Sequence, residues 1–120
     1  MAVVRRFQDL DVWQKAFEVS LAIHRKSLGF PKIEQYALAD QMRRASKSVC
    51  ANVAEGFSKQ SSSKPEFKRF LNMAMASANE MQVWILYTKE LDYISQSEFD
   101  HWNQEYNSIA KMLNSFIAKV

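Results

Sequence analysis

Apolar side chains recur at intervals of three and four residues along four stretches of the chain. This spacing is typical of amphipathic α-helices, and no stretch shows the convincing alternation that indicates a β-strand. The stretches cover about residues 9–28, from 34 or 35 to 55, 63–88 and 95–120. In the last of them the intervals of three and four run without interruption from Phe99 to Val120, which is typical of a coiled-coil-like seam.

Glycine, proline and serine mark the ends of these stretches. The chain has only two glycines and two prolines, and each lies where a helix should begin or end. Gly56 is predicted to be the left-handed cap that ends the second helix. Two Ser-x-x-Glu sequences, at 63–66 and 95–98, predict capping boxes at the start of the third and fourth helices. The serine-rich stretch 56–64 is predicted to form a mobile tip between helices two and three.

Together these signals predict an all-α fold. Four helices joined by short loops favour an up-down-up-down antiparallel four-helix bundle. A chain of 120 residues fits a single domain, residues 1–120, which is large enough to bury a core without disulfides or a metal.

The second helix carries a narrow line of polar side chains beside its apolar stripe. At about 100° per residue these side chains fall within about 80° of one another around the helix axis. We call them the polar line, and they are Gln41, Arg44, Ser48, Asn52 and Glu55.

The charged members of the polar line are too far apart to pair with each other. Arg44 and Glu55 lie about 16 Å apart along one helix, so each is predicted to find a partner elsewhere. Within the chain, Glu80 or Asn79 of the third helix is a candidate. Between subunits, Arg44 of one copy is predicted to pair with an acid such as Glu55 of the next. The polar line, together with Gly56, is therefore predicted to fix helix register and subunit contact.

Composition limits where the protein acts. The single cysteine, Cys50, excludes an intrachain disulfide and fits a reducing compartment. The N-terminal sequence MAVVRRFQDL lacks the apolar run of a signal peptide. The longest nearly uncharged stretch, 70–88, includes Glu80, and a carboxylate at mid-membrane costs roughly 2.5–3.5 kcal/mol. We therefore expect a cytoplasmic protein with no membrane partner.

Motifs for catalysis or metal binding are nearly absent. The sequence has no glycine-rich phosphate loop, no nucleophile elbow and no zinc-ligand spacing. Glu98 and His101 form one Glu-x-x-His unit, which di-iron bundles use in pairs, and its place in a first turn favours capping. His24 is predicted to be a satisfied core or boundary histidine, and Cys50 a spectator thiol. We therefore expect no enzyme activity, cofactor, metal or small-molecule substrate.

Charge is distributed unevenly along the chain. Residues 41–70 hold seven basic and two acidic side chains, a net charge of +5, whereas residues 80–106 hold one basic and six acidic, a net charge of −5. A basic patch of this kind concentrates polyanions and gives salt-sensitive nucleic-acid binding. The candidate nucleic-acid-binding residues are Arg43, Lys47, Lys59, Lys64, Lys68 and Arg69.

Three stretches carry a resemblance to a known family. They are FQDLDVWQKAFEVS, FPKIEQYALADQMRRASKSVCANVAEG and EFKRFLNMAMASANE. The chain resembles the four-helix-bundle proteins encoded in intervening sequences of bacterial large-subunit ribosomal RNA genes. It is also similar to the accessory protein of diversity-generating retroelements, a pentameric barrel that works with a reverse transcriptase and nucleic acid. The most specific residues of the resemblance are Gln41, Arg44, Ser48, Asn52, Ala54, Glu55 and Gly56.

The resemblance implies a four-helix bundle that forms a homo-oligomeric ring, a pentamer in the retroelement case. It further implies a protein without enzyme activity, whose basic surface is open to RNA or to a nucleoprotein partner. Two functions therefore stay open at the level of sequence. The favoured one is an oligomeric adaptor that binds RNA or a nucleoprotein. The rival is a protein-protein adaptor or structural accessory subunit that binds no nucleic acid.

Overall fold

The computed structural model describes residues 4–120, and that part of the chain is built from α-helices and short turns without a β-strand. The four α-helices are α1 (Asp11–Ser27), α2 (Leu38–Ser58), α3 (Lys64–Glu90) and α4 (Gln96–Lys119). Short 3-10 turns at Phe7–Asp9 and Lys32–Glu34 precede α1 and α2. This confirms the predicted all-α fold. The first three residues of the N-terminal sequence from which a signal peptide was excluded lie outside the described part.

The helices pack as sequential antiparallel neighbours around one core. α2 lies between α1 and α3, α3 packs against α4, and α4 closes the bundle against α1. Because direction alternates, the start of α1, the α2–α3 connection and the end of α4 share one end, which we call the α2–α3 end. The bundle measures 45 × 26 × 20 Å. None of the helices in residues 4–120 is long and apolar enough to cross a membrane.

The core lies on the predicted faces of α2, α3 and α4. In α1 the face predicted from the spacing, which includes Phe17 and Leu28, is wrong, because these side chains are 43% and 61% exposed and the neighbouring face is buried instead. Each helix contributes side chains with no solvent exposure, such as Ile23, Val49, Ile85 and Ile109. Burying one such side chain contributes about 1.5–3 kcal/mol, so the apolar stripes drive the association of the helices. The four-helix bundle predicted from periodicity is therefore confirmed.

The predicted start of the second helix is wrong by three or four residues. A separate 3-10 turn covers Lys32–Glu34, and α2 begins only at Leu38. The side-chain amide of Gln35 donates to the carbonyl oxygens of Ser27 and Phe30, at 2.9 and 3.0 Å. These bonds tie the connection to the end of α1, and Ala37 leaves helical geometry with φ −123 and ψ −107.

The predicted left-handed cap at Gly56 is also wrong. α2 continues to Ser58, Lys59 caps it in right-handed geometry, and no glycine of residues 4–120 has a positive φ. Gly56 is buried against α3, where a Cβ would lie 3.2 Å from both the carbonyl oxygen of Phe67 and the Cβ of Phe70. The glycine therefore permits close approach of two helices rather than a change of chain direction.

The predicted serine-rich tip is shorter than 56–64, because residues 56–58 and Lys64 are helical. Residues 59–62 form turns, and the amides of Ser62 and Ser63 donate to the carbonyl of Lys59 at 3.1 and 2.9 Å. At the start of α3 only half of the predicted capping box is present, since Ser63 Oγ accepts from the Glu66 amide at 3.3 Å. The box at Ser95 is complete, as predicted.

Candidate nucleic-acid interface

The structure separates the six predicted nucleic-acid-binding residues into two groups. Lys59, Lys64, Lys68 and Arg69 lie at or near the α2–α3 end. Arg43 lies about 24 Å from the end of α2, since about sixteen residues at 1.5 Å each separate the two. Lys47 lies one turn after Arg43, beside α1. The residues therefore do not form one continuous patch.

Arg43 is already engaged inside the bundle. Its guanidinium donates to Ser27 Oγ at 2.8 Å and to the backbone carbonyl of Gln35 at 2.9 Å, and the side chain is half-buried. The guanidinium therefore joins α1, the α1–α2 connection and α2. This structural role explains its position better than phosphate binding, because three hydrogen bonds already occupy donors of its guanidinium inside the bundle.

The α2–α3 end gains a lysine that the sequence analysis missed. Lys119, near the end of α4, lines one cleft with Lys64 of α3, beside Phe67 and Phe116, whose ring centroids are 5.4 Å apart. Lys119 and Lys64 are far apart in sequence. They lie together only because the helices alternate in direction, which brings the end of α4 to the start of α3. We call Lys59, Lys64, Lys68 and Lys119 the basic end. Within residues 4–120 none of these four lysines makes a salt bridge.

Arg69 contributes less positive charge to this end than the sequence predicts. Its Nη2 and Nε donate to the carboxylate of Glu66 at 2.9 and 3.3 Å, and its guanidinium lies 4.6 Å from the ring centroid of Phe70. The hydrogen bonds from Arg69 hold the pKa of Glu66 below its ordinary value. Glu66 stays ionised, so the pair offsets its own charge.

Arg44 of the polar line finds its partner one turn earlier on its own helix. Its Nε donates to Asp40 Oδ2 at 2.9 Å, and the arginine side chain is 77% exposed. Arg44 therefore has a partner within its own helix and, contrary to the prediction, does not lie desolvated at the core edge. The signal was present in the sequence, since an acid four residues before an arginine lies on the same helix face. The pairing of Arg44 with an acid of another subunit stays a prediction.

The middle of the polar line is an internal contact between α2 and α3. Asn52 Nδ2 donates to the carbonyl and the Oγ of Ser48, at 2.9 and 3.0 Å. Ser77 Oγ of α3 donates to Ser48 Oγ at 2.9 Å. The α3 partner is thus Ser77 and not the predicted Glu80, which instead accepts from Trp84 Nε1 at 3.0 Å. Gln41 and Glu55, the first and last residues of the polar line, are exposed to solvent.

Next to the polar line, α3 exposes an apolar surface. Tyr87 is 55% exposed and Val83 49%, although both are large side chains. At about 100° per residue the residues of this surface fall within about 100° of one another. We call them the α3 strip, and they are Met73, Val83, Trp84, Tyr87 and Leu91. Val83, Trp84, Tyr87 and Leu91 lie within about two turns of one another, whereas Met73 lies about three turns earlier, with the exposed Glu80 on the face between. Clustered exposed apolar side chains mark interaction sites, so the α3 strip is a candidate subunit contact.

Glu98, Cys50 and His24 are side chains of the types that support catalysis or metal binding. Glu98 completes the capping box and lies 3.2 Å from Lys26 Nζ, which confirms the predicted capping role. Burial raises the pKa of Cys50 to about 11, so the thiol is unactivated, as predicted. The prediction that His24 is a satisfied histidine is wrong, because its buried Nδ1 has no hydrogen-bond partner in residues 4–120. No three of the His, Cys, Asp and Glu residues in that range are grouped to hold a metal.

Comparisons with known proteins place the chain among ribosomal-RNA-linked bundles. Residues 8–115 match the model of the family described as 23S rRNA-intervening sequence protein. One solved structure with this fold is a protein of unknown function from the S23 ribosomal protein family of Bacteroides thetaiotaomicron. It is 26% identical, with a TM-score of 0.80, and the match covers 89% of this chain and 95% of that one. No curated protein matches the chain.

Proposed function

The chain belongs to the 23S rRNA-intervening sequence protein family, and from that premise we propose that it is a non-enzymatic, homo-oligomeric bundle that binds RNA or a ribonucleoprotein. The observation that carries the proposal is the basic end, where Lys64 and Lys119 line one cleft and Lys59 and Lys68 lie at the same end of the bundle. None of the four makes a salt bridge to a described residue. Free ammonium groups of this kind bind phosphates through charge and not through base sequence.

The basic end predicts a steep salt dependence of RNA binding. Each phosphate neutralised on a single strand releases counterions, and the binding constant then falls with a slope of about −0.7 per contact on logarithmic scales. For one chain that makes four phosphate contacts, the binding constant is expected to fall about 50-fold between 50 and 200 mM salt. Several copies that hold one RNA steepen this dependence further.

Two neighbouring surfaces support self-association. The α3 strip exposes apolar area, and the exposed part of the polar line, Gln41, Arg44 and Glu55, lies on the adjacent helix. Apolar area stabilises an assembly, and charges of opposite sign on one surface set the register between identical copies. The resemblance to the retroelement accessory protein gives five as the expected number of copies.

A charge-reversal pair tests RNA binding directly. We expect Lys64→Glu with Lys68→Glu to weaken binding of a fluorescent single-stranded RNA at least about tenfold at 100 mM salt. The matched control is Arg25→Glu with Lys32→Glu, which changes net charge equally at exposed positions near the opposite end of the bundle. We expect the control to change affinity less than about threefold, as measured by fluorescence anisotropy over a range of salt.

Equal effects of the two charge reversals would contradict the basic end as the binding surface. A specific observation, the α3 strip, also supports the rival function of a protein-protein adaptor without nucleic-acid binding. That function predicts no RNA binding at physiological salt by any variant. Light scattering supplies the second readout, because the proposed homo-oligomer requires a mass well above 14.0 kDa, whereas an adaptor can act as a single chain.

A further inference from the structure

A groove of about 500 Å³ runs between α1 and α2, on the side of α2 that faces α1. One wall is aromatic: the ring centroids of Phe7 and Trp13 are 5.0 Å apart, and those of Trp13 and Phe17 are 4.7 Å apart. The other wall consists of small side chains of α2, Ala51 and Ala54, which leave the space unfilled. Small-ligand sites have this volume and this mostly apolar character.

One part of the groove wall is positively charged. His24 and Lys47 line it, and no acidic side chain does. Burial lowers the pKa of His24 first, and the positive charges of Lys47, Arg43 and Arg25 lower it further. The Nδ1 atom of His24 is buried and has no hydrogen-bond partner in the described part of the chain. Among residues 4–120, Lys47 makes no salt bridge.

We propose that this groove binds a small amphipathic anion, whose aromatic or aliphatic body lies against Phe7, Trp13 and Phe17. Its carboxylate or sulfonate lies at Lys47 and His24. Charge complementarity identifies this occupant, because an apolar ligand leaves Lys47 unpaired, whereas an anion pairs with it. The groove shares no residue with the basic end, so the proposal does not rest on RNA binding.

A bound anion also changes the protonation of His24. The groups that face this histidine are Arg25 on its own helix and Arg43, Lys47 and Cys50 on α2, and three of them are cations. An anion offsets their repulsion, so binding favours the imidazolium. Affinity is therefore expected to rise as the pH falls from 8 to 6.

Two fluorescent probes with the same body separate charge recognition from apolar binding. They are 8-anilinonaphthalene-1-sulfonate and N-phenyl-1-naphthylamine, which lacks the sulfonate. We expect one sulfonate probe per chain, bound about tenfold more tightly than the neutral probe. We expect Lys47→Gln to remove that preference, with Lys68→Gln as the matched control that retains it. Ala51→Leu, at an exposed position of the groove wall, should weaken both probes by filling the space.

Three results would overturn the proposal. The first is equal affinity for the two probes, and the second is identical behaviour of Lys47→Gln and Lys68→Gln. The third is displacement of the probe as protein concentration rises and the oligomer forms, which would assign the groove to a second copy of the chain. Circular dichroism of each variant establishes that a lost signal reflects the site and not unfolding.

Discussion

The two faces of α2 are both lined by small residues, yet they meet their neighbours in opposite ways. On the α3 side, Gly56 lies so close that an added Cβ would be 3.2 Å from α3 atoms, and Ser48 bonds directly to Ser77. On the α1 side, Ala51 and Ala54 face an open groove of about 500 Å³. A small side chain therefore allows either tight packing or a cavity, and the distance to the facing helix decides which.

The largest expected effect comes from adding side-chain volume on the tight face. We expect Gly56→Leu to lower the free energy of unfolding by about 2–3 kcal/mol, because the new side chain meets backbone and Cβ atoms of α3 that have little freedom to move. Ala51→Leu is the matched change on the groove face, where we expect an effect within about 0.5 kcal/mol. Urea unfolding followed by circular dichroism measures both, and equal losses would show that the two faces pack alike.

A smaller effect is expected from the hydrogen bond that joins α2 to α3. Ser77→Ala and Ser48→Ala should each lower the free energy of unfolding by about 1 kcal/mol, because each removes the bond between the two hydroxyl groups. The double variant should lose less than the sum of the single changes, since both remove the same bond. Additive losses in this double-mutant cycle would mean that the serines do not interact.

The smallest expected effect is a pH dependence of the free energy of unfolding, which comes from His24 in the groove. Because burial and nearby cations lower the pKa of His24 in the folded state, the unfolded chain binds a proton more readily. Stability is then complete above the unfolded value of 6.5 and falls as the pH drops through 6.5 towards the lowered folded pKa. His24→Gln should reduce this loss between pH 7.5 and 5.5, whereas His101→Gln, at an exposed position of α4, should retain it. A wild-type unfolding midpoint that does not change over this range would contradict the proposed environment of His24.

Local patterns were enough to predict the helices and most of the core. The apolar intervals predicted Val49, Ile85 and Ile109 on the inner faces, because side-chain direction repeats with the helix itself. In α1 they predicted the wrong face, since the predicted Phe17 and Leu28 are exposed and Ile23 is buried instead. The complete capping box at Ser95 was predictable for the same reason, since its atoms lie within one turn. The Arg44–Asp40 pair is equally local, because an acid four residues before an arginine lies on the same helix face, and it was therefore predictable from the sequence.

The candidate sites depend on distances that periodicity does not contain. Lys119 joins Lys64 only because alternating helix directions return the C-terminus to the start of α3. Arg43 leaves the predicted basic surface because the α1–α2 connection folds back beneath its guanidinium. Gly56 and Ala51 lie on one helix and are both small, but the separation of the facing helices makes one a close contact and the other the wall of a groove. Helix periodicity assigns a residue to a face, whereas helix separation and chain direction, set by the whole core, decide what that face meets.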